Sequence, residues 1–209
     1  MKKAIVGVFV ILLVSCVTWK LERRLPKDIS AWYDIHKYIM QAQVPEFVSQ
    51  KKMTEAVYFL RLTEMQKRAY LKIFWDIRFL DAQDEFKLRQ KIANVAFANE
   101  GIKGWRTDQG LLMLQCGQPD YVDEFTPTGQ PFAGNVDWEE DAIVRIWRYW
   151  WGSGFVARLI EFRFTWTTRD RTWRADRIYD IDQIQFIRYQ QLLMSPTEDG
   201  WQRWLAVMP

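Results

Sequence analysis

Histidine occurs once and cysteine twice in 209 residues. That scarcity removes whole classes of chemistry. His36 and Cys116 supply too few nitrogen and sulfur ligands for a zinc site, and nothing in their spacing pairs them as base and nucleophile. Glycine is also sparse, at 10 residues. "GWRTDQG" (104–110) has neither the glycine density nor the lysine of a phosphate-cradling loop. No Gly-x-Ser-x-Gly elbow is present; "GSG" (152–154) falls between two strand-like stretches. Only one long apolar run exists, "AIVGVFVILLV" (4–14), and it is too short to cross a bilayer. No sign of charge dominates. Setting aside Lys2 and Lys3, which precede that run, 27 of the 29 basic side chains face 26 acidic ones. That balance gives no case for nucleic-acid binding. Neither metal nor cofactor is expected.

What the chain does have begins at its N-terminus. Lys2 and Lys3 form a basic flank, and the apolar run after them has the length of a secretory signal. The run closes in Leu13, Val14, Ser15 and Cys16. These four residues resemble the lipobox of bacterial lipoproteins. That resemblance implies cleavage before Cys16, acylation of its sulfur and its new amine, and membrane attachment through the lipid. Several acyl chains at roughly 0.8 kcal/mol per buried CH₂ anchor a protein firmly without a spanning helix. Val17, rather than Asp, follows the cysteine, which by resemblance to known lipoprotein sorting favours an outer membrane and a periplasmic location. Residues 16–27, rich in Lys and Arg, are expected to be a short tether. Cys116 then has no intramolecular partner and is expected to be a small buried hydrophobe.

Twelve tryptophans supply large apolar area for a core. Residues 28–43 read as a helix, with a second helical stretch near 46–60. Thr63 and Gln66 predict a capping box, with Met65, Ala69 and Ile73 on one stripe and Tyr70 and Phe74 beside it. Another helix is expected from Asp84 to Asn99, with Gly101 and Gly104 at its exit. "LLMLQC" (111–116) reads as a short strand closed by the turn "GQPD". Residues 123–141 read as an exposed loop. "AIVRIWRYWW" (142–151) and "FVARLIEFRFTW" (155–166) alternate as strands, and 172–181 suggests a fourth. Residues 181–194 form a last helix; nothing assigns the tail after Pro196. Helices followed by an antiparallel meander imply an α+β fold: N-terminal helices on three to four antiparallel strands, then a C-terminal helix.

At "FWDIR", "KIANVAFANEGIKGWRTDQGLLMLQCGQPD" and "IWRYW" the chain resembles the GWxTD domain family. The pentapeptide is Gly104, Trp105, Arg106, Thr107 and Asp108. Phe74 and Trp75, Ala93, Asn94 and Phe97, Gly110, the turn Gly117 to Asp120 (with Pro119), and Ile146, Trp147 and Tyr149 match other parts of the pattern. Gln118 replaces a proline frequent in that turn, and the Arg-Asp-Pro that often follows Trp75 is missing. The resemblance covers about residues 58–165. It implies an exported or lipid-anchored bacterial envelope protein with no established activity. The expected organisation is a signal peptide (1–15), a tether (16–27), a helical extension (28–57), the GWxTD-like domain (58–166) and a C-terminal strand and helix (167–209). The layout also resembles small lipoproteins of the outer-membrane β-barrel assembly machinery, by architecture alone.

Two readings of the pentapeptide compete. As a clasp, Gly104 turns the chain, Trp105 packs at a helix–sheet junction, Thr107 or Asp108 accepts backbone N–H bonds, and Gly110 permits a bend. As a catalytic site, Asp108 needs a second carboxylate such as Asp120, Asp123 or Glu124. A third feature is the aromatic and Arg-rich sheet. Arg145, Trp147, Arg148, Tyr149 and Trp150 form a candidate interaction surface, although alternation must turn half of such rings into the core. The leading expectation is a non-enzymatic binding or assembly factor meeting an envelope protein or cell-wall partner. The alternative is a hydrolase of cell-wall polymer using Asp108 and a neighbouring carboxylate.

Overall fold

A computed structural model describes residues 18–99, 101–126, 142–153, 156–167, 171–175 and 179–209. The signal-like run, Cys16, and the expected loop from residue 127 onward lie outside the described residues. In chain order the elements are α1 (Lys27–His36), α2 (Glu55–Arg61), α3 (Glu64–Ile73), α4 (Ala82–Ala96), a 3-10 turn (Gly104–Arg106), α5 (Asp108–Cys116), β1 (Tyr121–Phe125), β2 (Ile143–Trp151), β3 (Arg158–Trp166), β4 (Trp173–Ala175), α6 (Ile181–Leu193) and α7 (Glu198–Val207). Helices precede and follow one four-stranded antiparallel meander in the chain, so the class is α+β. No described helix is long and apolar enough to cross a membrane. Two compact units divide the chain: Met1–Leu80 with Met194–Pro209, and Asp81–Leu193.

The first unit is helical. α1 stops at His36 rather than running to residue 43, because the backbone beyond it pairs elsewhere. Val44 N–H donates to Met53 O, Glu55 N–H to Ala42 O, and Ala56 N–H to Met40 O. The same pairing delays α2 until Thr54, whose hydroxyl accepts from Val57 N–H as N-cap. α3 opens with the expected capping box of Thr63 and Gln66. Its buried side is not the Met65–Ala69–Ile73 stripe but Lys67, Tyr70 and the following Phe74. Rings win this competition because they bury more area per residue, and Lys67 donates to Leu60 O and Leu62 O at the end of α2. Tyr70 meets Trp204 edge-on at 4.9 Å, and Tyr33 stacks on Phe59 at 5.7 Å. Among these rings lies an ion pair of Arg78 and Glu55, both side chains fully buried. Tyr70 O–H donates to the same carboxylate at 2.7 Å, and Arg78 Nε donates to Met194 O at 2.8 Å.

The second unit holds the sheet, in order β1-β2-β3-β4. Register pairs Trp147 with Phe162 and Tyr149 with Ile160, and these four line the buried face. α6 covers that face through Phe186, 5.0 Å from Tyr149. β1 takes in residues 123–125, the start of the stretch expected to be loop; Asp123 pairs with Ile146 and Phe125 with Val144. The expected strand 111–116 is instead the body of α5. A short continuous apolar run does not distinguish a buried strand from a buried helix. Here Thr107 caps the run at one end and Gly117 ends it at the other. α4 begins at Ala82, ahead of the expected cap Asp84. The tail left unassigned by pattern belongs to the first unit and forms α7, capped by Thr197.

Candidate functional site

The GWRTD stretch is a chain of close backbone approaches. Gly101, at φ +75°, makes the left-handed turn after α4. Gly104 then presses onto α4. A Cβ there would sit 2.7 Å from the Ala93 carbonyl carbon and 2.8 Å from Asn94 Cα. Gly110 repeats the approach one layer on, where a Cβ would lie 2.6 Å from the Gly104 carbonyl carbon. Only glycine fits either place. Trp105 is buried, its N–H facing Asn94 Oδ1 at 3.5 Å. Arg106 is exposed, its guanidinium 4.9 Å from the Trp105 ring centre.

Thr107 works in both directions. Its hydroxyl donates to Gly104 O at 2.7 Å and accepts from Gly110 N–H at 3.1 Å. It thus caps α5 and holds the two glycine layers together. Asp108 opens α5, and its Oδ2 accepts from Ala175 N–H at 2.8 Å, tying β4 to the helix start. Asp120 does similar work elsewhere: its N–H donates to Arg148 O, and its Oδ2 accepts from Trp150 N–H at 2.7 Å. The two carboxylates proposed as a catalytic pair each hold a different strand by its backbone. Asp123 pairs with Arg148, and Glu124 with Arg145 at 2.6 Å. Each neighbouring acid therefore has its own partner. No group of three or more potential metal ligands occurs among the described residues.

The turn after α5 follows the same mechanics. Gly117 has φ +78°, and its carbonyl accepts from Tyr149 O–H at 3.0 Å. Arg89, salt-bridged to Glu85, donates to Gln115 O at 3.1 Å and satisfies the end of α5. Burial pushes the Cys116 thiol up to about 12, so it stays protonated and unreactive. Pro119 stands half-buried between Gly117 and Asp120.

The five residues of the candidate sheet surface fall on the two faces that their alternation predicts. Trp147 and Tyr149 are buried in the core, with Arg145 on the same side, because β2 alternates and that side is covered. Arg148 and Trp150 project to the opposite side. Arg148 bridges Asp123 on β1 and Glu161 on β3, the latter at 2.5 Å. Trp150 is 54 % exposed.

Beside the clasp is a small cavity of about 220 Å³ that no sequence pattern announced. Phe97 and Asn99 after α4, Gln109 of α5, Trp166 at the end of β3, and Arg171 and Trp173 line it. Gln109 follows Asp108 in the motif and is 1 % exposed. Its Oε1 accepts from Arg145 at 3.3 Å, and its Nε2 has no hydrogen-bond partner among the described residues. Arg145 is also bound to Glu124 and lies 4.2 Å over the Trp173 ring. Arg171 has φ +50°, an unfavourable conformation for a side-chain-bearing residue. Asn99 Nδ2 holds it by donating to its carbonyl at 2.5 Å. The only signal in the sequence was the position of Gln109, one residue from Asp108; the walls come from two separate stretches, 96–109 and 166–173, that only the fold brings together. No family model, curated protein or solved structure matches the chain.

Proposed function

We propose that this chain is a lipid-anchored bacterial envelope protein of the GWxTD type, acting by binding or assembly rather than by catalysis. One observation carries the non-catalytic part: Asp108 and Asp120 are each engaged by a backbone amide of the sheet, Ala175 and Trp150. A carboxylate used to fix a strand is poorly placed to move a proton on a substrate. Support for the anchor is the sequence Leu13-Val14-Ser15-Cys16 after a basic flank and an apolar run. Val17 supports the outer membrane, facing the periplasm. Metabolic labelling with palmitate should mark the full chain and not Cys16→Ser. The purified protein should release nothing from peptidoglycan. Turnover that Asp108→Asn abolishes while the fold persists would instead establish the hydrolase reading.

A further inference from the structure

We infer that Trp19 and the basic side chains around it form a second membrane contact, seated on anionic phospholipid headgroups. Residues 18–22 are helical. The turn is continued by Arg23 N–H donating to Trp19 O and Arg24 N–H to Leu21 O, both at 3.2 Å. This coil brings the Arg23 guanidinium to 3.7 Å from the centre of the Trp19 ring. Trp19 is still 52 % exposed, and among the described tryptophans only Trp150 shares that exposure. An exposed indole under a stacked guanidinium is an amphipathic pair. The ring suits the interfacial layer of a bilayer, and the planar cation suits the phosphates in the same layer.

Charge points the same way. Lys20, Arg23, Arg24 and Lys27 are all exposed, and among the described residues no carboxylate is ion-paired with any of them. The acids in this part of the chain face elsewhere. Glu22 accepts from Tyr33 O–H and lies near Lys37. Asp28 is bound to Arg68 at 2.9 Å, and Asp34 to Lys37 at 3.0 Å. Four unmatched cations around an exposed ring complement an anionic surface. Each basic residue close to such a bilayer is worth roughly fivefold in binding. Trp19 also stands three residues from Cys16, within about 11 Å even along a fully extended chain. With Cys16 acylated, the indole is held within reach of the headgroup layer. The acyl chains retain the protein; the Trp19 face fixes how the first unit stands on the surface.

Nearness to a bilayer rests on the Cys16 reading proposed above; the exposed ring and the unmatched charge do not. The test reconstitutes the full chain into vesicles of phosphatidylcholine alone and of phosphatidylcholine with one quarter phosphatidylglycerol. Each is prepared with and without lipid brominated close to the headgroup. Subtracting the emission of Trp19→Phe isolates Trp19 from the other tryptophans. That difference should be quenched by bromolipid at least about twofold more strongly with phosphatidylglycerol than without. Sodium chloride at about 0.5 M should remove the increment. Lys20→Gln, Arg23→Gln and Arg24→Gln combined should return quenching to the phosphatidylcholine level, with unchanged circular dichroism. Equal quenching in both vesicles, no quenching, or a triple variant matching wild type would overturn the inference. A Trp19 response to soluble polyglutamate and none to phosphatidylglycerol vesicles would give the face to an acidic protein and overturn it too. Flotation separates the two proposals. A chain that floats with both vesicles while Trp19 stays unquenched refutes only the headgroup contact. One that floats only with phosphatidylglycerol, and not as the triple variant, refutes only the anchor.

Discussion

The same local device appears in both units, and the contrast between its two copies explains what the GWRTD stretch is for. In the second unit Thr107 caps a helix, accepts from Gly110 N–H three residues on, and sends its own N–H to Gly104 O. In the first unit Thr197 caps α7, accepts from Gly200 N–H, and sends its own N–H to Ile77 O. In both copies the glycine presses on the carbonyl that receives the threonine. A Cβ would lie 2.6 Å from the Gly104 carbonyl carbon in one and 2.7 Å from that of Ile77 in the other. A Thr-x-x-Gly cap seated on a backbone carbonyl is thus a packing solution with no need of chemistry. The second unit's copy differs in two additions: another glycine layer, Gly104 on Ala93, and Asp108 reaching β4. The first unit's copy is backed instead by the buried pair of Arg78 and Glu55.

The glycines should respond most strongly. Gly110→Ala and Gly200→Ala each force backbone apart, with an expected loss above about 4 kcal/mol, beyond the usual range for single substitutions. Chemical denaturation of each variant checks this; tolerance at either position would end the equivalence of the two caps.

Next in size is Arg78→Met, which leaves Glu55 buried without its cation. The expected cost is about 3–5 kcal/mol, whereas no substitution in the second unit's clasp strands a fully buried charge. Stability equal to wild type would mean that the pair does not support the first unit.

The first unit should also carry a pH dependence through His36. Burial is the chief reason that its imidazole falls to about 4 from 6.5, with the Arg78 charge adding to the effect. The unfolded ring gains its proton first as pH falls. The stability contributed by keeping it neutral is present above about 6.5 and is lost on descending toward 4, at no more than about 1.4 kcal/mol per pH unit. Burial pushes Glu55 upward, and its contribution runs the other way, lost as pH rises. Comparing wild type with His36→Phe between pH 4 and 7 isolates the histidine; identical profiles would contradict its neutral burial.

Smallest are the caps themselves. Thr107→Ala and Thr197→Ala should each cost about 1 kcal/mol, and Thr→Ser much less. Thr107 should be the more sensitive, since its hydroxyl donates at 2.7 Å against 3.5 Å for Thr197.

Much of this was legible in the residues. The helices-then-meander order, the Thr63 capping box, strands β2 and β3 and helix α6 all follow from periodicity and cap chemistry. The run 111–116 did not, because a helix buried on most sides loses the polar face that marks it. β1 did not, because all five of its residues are exposed and carry no alternation of burial. The shortened α1 reflects backbone pairing of 40–44 with 53–56, a tertiary choice that local propensity does not encode. Asp108 could be assigned to a turn amide from its residue type; its partner, Ala175, lies 67 residues away and needed the fold.

Amide hydrogen exchange at Ala175 tests the mechanical reading of Asp108 most directly. That reading predicts a protected amide in the wild-type chain and markedly faster exchange in Asp108→Ala, with the β2–β3 amides unaffected and Asp108→Asn close to wild type. An Ala175 amide that exchanges equally in wild type and Asp108→Ala would contradict it.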